Sequence, residues 1–161
     1  MDFFAENRIE THGPVTAYLI PLREGPSTNE SPLTLILKYG RCGFWLGGDS
    51  PWRTEMAWQK KARALGAPPP TVWKLSHHGS KTSSSAEVVA EAKPLWAVAS
   101  LGVGNRYGHP VKEVMERFIR IRARTLRTDF HGYVRFTVSA GGKLTCESAL
   151  GSCGESQCSG P

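Results

Sequence analysis

The sequence has no apolar run that approaches the ~20 residues a membrane-spanning helix needs, so it offers no such span. Its opening, Met1-Asp2-Phe3-Phe4-Ala5-Glu6, lacks the basic-then-apolar order of a secretory leader. Cysteine is scarce. Cys42, Cys146, Cys153 and Cys158 do not form the paired C-x2-C spacing of a zinc site. No internal repeat is visible beyond a recurring plan of strand, polar loop and helix. These absences lead us to expect a cytoplasmic chain whose thiols stay unpaired, because disulfides are rare in reducing compartments. Cys42 reads as a small core or edge residue. The other three fall in 146–161, a Gly/Ser/Cys-rich stretch expected to be a flexible tail.

What is present fits one soluble domain, taken as 1–145. The chain has 161 residues, 40% hydrophobic and 21% charged, ordinary values for a globular protein with a real core. The net charge of +6 favours a polyanionic partner.

The stretch 76–85, Ser-His-His-Gly-Ser-Lys-Thr-Ser-Ser-Ser, organises the rest. The apolar, β-branched residues 71–75 before it predict a strand. After it, Ser84 and Glu87 have the spacing of a capping box. Two histidines therefore sit in a loop between a strand and a helix, where α/β sheets build their sites. The plan recurs on either side. Phe44-Trp45-Leu46-Gly47-Gly48-Asp49 ends in an acid, with Ser50 as a candidate cap and Pro51 at a first helical position. Leu95 to Ser100 runs into Gly102-Val103-Gly104-Asn105-Arg106-Tyr107-Gly108-His109-Pro110. Asp49, His77, His78 and His109 are thus expected at one sheet edge. Oxygen and imidazole donors suit zinc, manganese or iron.

Further strands are expected at 15–20, 33–39 and 42–46, the last two joined as a hairpin at Gly40-Arg41. A helix at 54–65 carries a rough stripe of Met56, Trp58, Ala62 and Leu65. A second helix, from Val111 to about Arg122, buries Val111, Val114, Met115, Phe118 and Ile121 at helical spacing. Short strands at 125–128, 133–139 and 143–145 close the chain. His12 reads as a loop histidine, and residues 1–13 show no periodicity. Lys112, Arg117, Arg120, Arg122, Arg124 and Arg127 form a basic segment able to track a nucleic-acid backbone; a solvated helix face is the alternative.

Asn29, Ser31, residues 33–39, Gly47-Gly48-Asp49, Ser76-His77-His78-Gly79-Ser80, Asn105-Arg106-Tyr107-Gly108-His109-Pro110 and Arg127-Thr128-Asp129 come in one order. Together they resemble the metallo-β-lactamase-like domain of the ComEC family of DNA-uptake (competence) proteins and its stand-alone relatives, over about Val15 to Val138. The resemblance implies an α/β fold: the C-terminal part of an αββα sandwich, with a mixed sheet and flanking helices. It also implies a divalent-metal hydrolase, holding one or two zinc or manganese ions and cleaving phosphodiesters, DNA included, as a nuclease. Metal ligands would be Asp49, His78 and His109. Asp49, His77 and His78 would be catalytic, with the order of the two histidines left open. Ser80, Thr82, Ser83, Asn105, Arg106 and Tyr107 would bind substrate, and Asp129 would support the site. DNA is the expected partner. A membrane channel part, or the N-terminal half of the domain, would complete the assembly, and the chain would be membrane-associated only within such a longer protein. The family's His-x-His-x-Asp-His motif does not occur in this sequence. The alternatives are therefore a catalytically incomplete nucleic-acid- or partner-binding module and a truncated fragment without activity.

Overall fold

The computed structural model describes residues 6–22 and 33–158. Asn29 and Ser31 lie outside the described residues. Seven strands form one mixed sheet: β1 (Arg8–His12), β2 (Val15–Pro21), β3 (Leu33–Tyr39), β4 (Cys42–Leu46), β5 (Val72–Lys74), β6 (Trp96–Ala99) and β7 (Arg124–Arg127), side by side in that order. β1 to β4 run antiparallel through tight turns. β4 to β7 run parallel, so each of those steps needs a crossover. Helices α1 (Trp52–Ala64), α2 (Ala86–Ala92) and α3 (Lys112–Arg120) supply them. A one-turn helix, α4 (Thr128–His131), follows β7. Then β8 (Val134–Val138), β9 (Lys143–Ser148) and β10 (Gly151–Gln157) form a separate antiparallel sheet.

Strand alternation sorts the core into two halves, because successive side chains point to opposite faces. Trp45, Trp73, Ala97 and Ala99 face the helices and pack with Trp58, Ala62, Val88, Val89, Val114 and Phe118. Cys42, Val72, Trp96, Val98 and Leu126 face the other way and meet Leu144 and Cys146 of the small sheet. The layers are thus helices, large sheet, small sheet. The mixed sheet with flanking helices is the expected architecture, and three layers of an αββα sandwich are in place.

Several local expectations are corrected. β1 forms although its five residues are all exposed; its backbone pairs with β2, and a solvent-facing edge strand needs no apolar stripe. Met56 is exposed rather than part of the α1 stripe, whereas Trp58 is fully buried. The cap of α2 is Ser85, which accepts the Val88 amide at 3.3 Å; Ser84 is buried instead. The stretch expected to be a loose tail carries half of β9 and all of β10. Its Cys158 is bonded to Cys42, which overturns the expectation of unpaired thiols for these two. Cys146 and Cys153 remain free, and burial pushes the Cys146 thiol up to about 12.

Candidate functional site

Parallel strands deliver their C-terminal ends to one edge, and that edge gathers the loops the sequence singled out. Glycine lets them approach. A Cβ on Gly47 would stand 2.3 Å from Ser76 Oγ, and one on Gly79 would stand 2.5 Å from the Pro110 Cβ. Real contacts of this kind are wider, so neither position accepts a side chain without movement. Backbone bonds finish the joins: the amides of His77, Trp52 and Val111 donate to the carbonyls of Gly48 (2.9 Å), Thr82 (2.8 Å) and Gly79 (3.0 Å). The Asp49 loop, the histidine loop and the His109 loop therefore behave as one surface.

The histidine loop is conformationally unusual. His77 and His78 have φ of 47° and 55°, and Ser84 has 51°. This left-handed region is costly for non-glycine residues, on the order of 1–3 kcal/mol each, and persists where the surroundings enforce it. The imidazole of His78 donates through Nδ1 to the Ser100 carbonyl at 2.6 Å. That bond leaves Nε2 facing Asp49 Oδ1, 3.6 Å away. A lone pair and a carboxylate so placed call for a cation between them, a proton or a metal ion; a carbonyl behind the ring is the usual support of a metal-ligating histidine. Lys74, half-buried at the end of β5, is pulled below the usual lysine range by burial, with nearby Asp49 opposing the shift.

His109 lies between two rings. Tyr107 stacks on it at 6.1 Å and His77 meets it edge-on at 5.8 Å. Burial first, and then the charges of His77 and His78, lower its pKa. Its Nδ1 is buried and has no hydrogen-bond partner among the described residues. With His78, Leu101, Gly102, Asn105 and Tyr107, His109 lines a pocket at this edge.

The donor set suits zinc or manganese chemically but does not assemble into a site for them. Asp49 and His78 converge, whereas His109 stacks on Tyr107 and meets His77 edge-on, with its Nδ1 buried. Among the described residues, no group of three or more His, Cys, Asp or Glu side chains is arranged to hold a metal ion. A catalytic zinc site has three protein ligands, so the geometry assigns no step to an ion.

Other expected residues divide by what they touch. Thr82 is exposed and lies 3.3 Å from His77 Nδ1, and its hydroxyl is 3.1 Å from that of Ser80, which is buried. Ser83 is buried, and its hydroxyl donates to the carbonyls of Ser76 and Ser80, so the loop itself occupies it. Asn105 clasps the backbone of His109 through its amide oxygen and nitrogen (3.0 and 2.8 Å). Arg106 and Tyr107 are exposed, with the guanidinium donating to the phenol oxygen at 3.2 Å. Asp129 accepts both nitrogens of Arg127 at 3.0 and 2.6 Å, and His12 stands in β1, outside this edge.

The basic segment does not form a continuous track. Arg117 bonds the Ser83 and Ser84 carbonyls, Arg124 lies over Trp96, and Arg127 holds Asp129. Lys112 and Arg120 flank Glu116. Two supports carry no sequence signal: the Ser100 carbonyl and Glu55 of α1. Glu55 is fully buried and accepts the Ser84 amide.

A mixed sheet whose parallel-strand loops bring an aspartate and three histidines to one edge fits the metallo-β-lactamase-like class that the motifs pointed to. The sequence relatives then make the assignment: the chain is a relative of the ComEC-family competence proteins. ComE operon protein 3 of Bacillus subtilis (strain 168) is 34% identical over 110 residues, covering 68% of this chain and 14% of that protein. Competence protein ComA of Neisseria gonorrhoeae is 43% identical over 68 residues, 42% of this chain and 10% of that protein. Recombination protein 2 of Haemophilus influenzae is 32% identical over 107 residues, 66% of this chain and 13% of that protein. The chain thus spans only 10 to 14% of the length of these relatives. No family model matches it. Among solved structures, that of DIM-1 metallo-β-lactamase exposed to ceftazidime aligns over 89% of this chain and 60% of that one. The identity is 14% and the TM-score 0.39. No helix among the described residues is long and apolar enough to cross a membrane.

Proposed function

We propose that this chain is a DNA-handling domain of a competence-type protein, related to metal-dependent phosphodiester hydrolases, and that it engages the phosphate backbone at the loop edge. One observation carries the reading: the histidine loop and the loop after β6 meet at a pocket lined by His78, Asn105, Tyr107 and His109, with Arg106 of the same loop exposed. Lys74 at the end of β5 and Lys81 in the histidine loop add cations, in a chain of net charge +6. Backbone binding of this kind is electrostatic and weakens with salt.

Cleavage by a zinc- or manganese-loaded site is the second reading, favoured by the facing pair His78 and Asp49. The described residues bring together only those two donors, so they support binding more strongly than hydrolysis. The Cys42–Cys158 bond favours an oxidising compartment over the cytoplasm.

A salt-titrated DNA-binding assay run beside a nuclease assay tests both readings. Salt-sensitive binding with little or no cleavage in manganese or zinc is expected. Robust cleavage abolished by Asp49→Ala would establish the hydrolase. No binding even at low salt would reject the DNA-handling reading.

A further inference from the structure

Glu55 is the one fully buried acid among the described residues. It projects from α1 into the base of the histidine loop. There Oε2 accepts the Ser84 amide, and Oε1 lies 3.3 Å from the Ser84 hydroxyl. Arg117 of α3 closes the same base from the other side, donating to the carbonyls of Ser83 (3.2 Å) and Ser84 (2.7 Å). Ser83 then reaches across the loop to the Ser76 carbonyl at 2.8 Å. A chain of bonds thus runs from Glu55 and Arg117, through Ser84 and Ser83, to the residue just before His77. Three non-glycine residues of this loop hold positive φ. Left to itself the loop would relax; buried anchors of this strength are what such a conformation needs.

We propose that Glu55 is the positioning residue of the histidine loop: its buried carboxyl group grips Ser84 and so holds His77 and His78 in place at the loop edge. The consequence for DNA rests on the DNA-handling reading; the consequence for the loop does not. Glu55 also stands out electrostatically. Burial pushes its carboxyl up to about 7, against the pull of its hydrogen bonds and of Arg117. Arg117 is the charged group the structure sets against it. The grip therefore changes its protonation in the neutral range.

The test compares wild type with Glu55→Gln, which keeps the shape and one acceptor. Two-dimensional NMR follows the Ser84 amide and the His77 and His78 rings between pH 5 and 9, and DNA binding is measured on the same samples. We expect the wild-type Ser84 amide to titrate with a midpoint near 7. In the variant that titration should vanish, the His77 and His78 signals should move, and DNA affinity should fall about tenfold, or ~1.4 kcal/mol, with the fold retained. Histidine signals that stay in place in a folded Glu55→Gln protein would overturn the proposal. Should that variant not fold, the wild type decides alone: a Ser84 amide that does not move across this range also overturns it. Loop signals that respond while wild type binds no DNA would leave Glu55 standing and remove the DNA-handling reading.

Discussion

The two faces of the large sheet are held by different chemistry. On the helix face, Trp73 meets Trp45, Trp58 and Phe118 in edge-to-face contacts between 5.5 and 6.1 Å. Packing of large rings dominates there, and one acid, Glu55, is buried beside it. On the other face the aromatic contact is Trp96 with Phe136 at 5.5 Å, the cluster is smaller, and the Cys42–Cys158 bond ties it to β4. The difference is one of means: the helix face buries large rings and one carboxyl group, whereas the small-sheet face is tied by a covalent bond. The base of the histidine loop is anchored from the helix face by Glu55 and Arg117, and the loop after β6 by Thr128.

The largest expected effect tests the packing side. Trp73→Ala should destabilise the domain by about 3–5 kcal/mol, the range for truncating a buried aromatic residue, read as a fall in the denaturant midpoint. A loss below 1 kcal/mol would mean that the rings do not bear the fold. Next comes the stapled side. Replacing both Cys42 and Cys158 by Ser should cost about 2–4 kcal/mol, and a reducing agent should lower the melting temperature of wild type but not of the double variant. Equal melting with and without reductant would erase the contrast between the faces.

The smallest effect concerns Glu55. Its folded-state pKa is raised from 4.5 to about 7, so between those values the folded state binds more protons than the unfolded one. Stability from this group should therefore be fully present at and below about pH 4.5, fall as pH rises towards 7, and level off above it. The shift sets a ceiling of ~3 kcal/mol. Glu55→Gln should flatten this slope, as seen in denaturation midpoints taken at several pH values. An unchanged slope would place the titration elsewhere.

Legibility in the sequence followed the same physics. β3, β4 and the stripe of α3 were readable because apolar runs and helical spacing mark elements that bury a face, and α2 because capping residues mark a helix start. β1 and β10 were not: Arg8–His12 buries nothing, and Gly151–Gln157 is rich in glycine and serine, so backbone pairing alone makes them strands. Asp49, His77, His78 and His109 could be picked out because they punctuate strand ends. Glu55 could not, since it sits in a helix among solvated charges and its burial arises only when the loop folds over it. The cations of α3 and β7 read as one track in a linear sequence, whereas folding turns Arg117 inward and gives Arg127 its own partner.

The Cys42–Cys158 bond has one more consequence. It turns the chain between those positions into a closed covalent circle, with a sequence separation of 116. Asp49, Glu55, His77, His78 and His109 all lie on the circle, and β1 to β3 hang outside it. A single cut in the exposed stretch around Val103 and Tyr107 would open the circle without releasing a fragment, leaving the pieces joined through sulfur and packed in register.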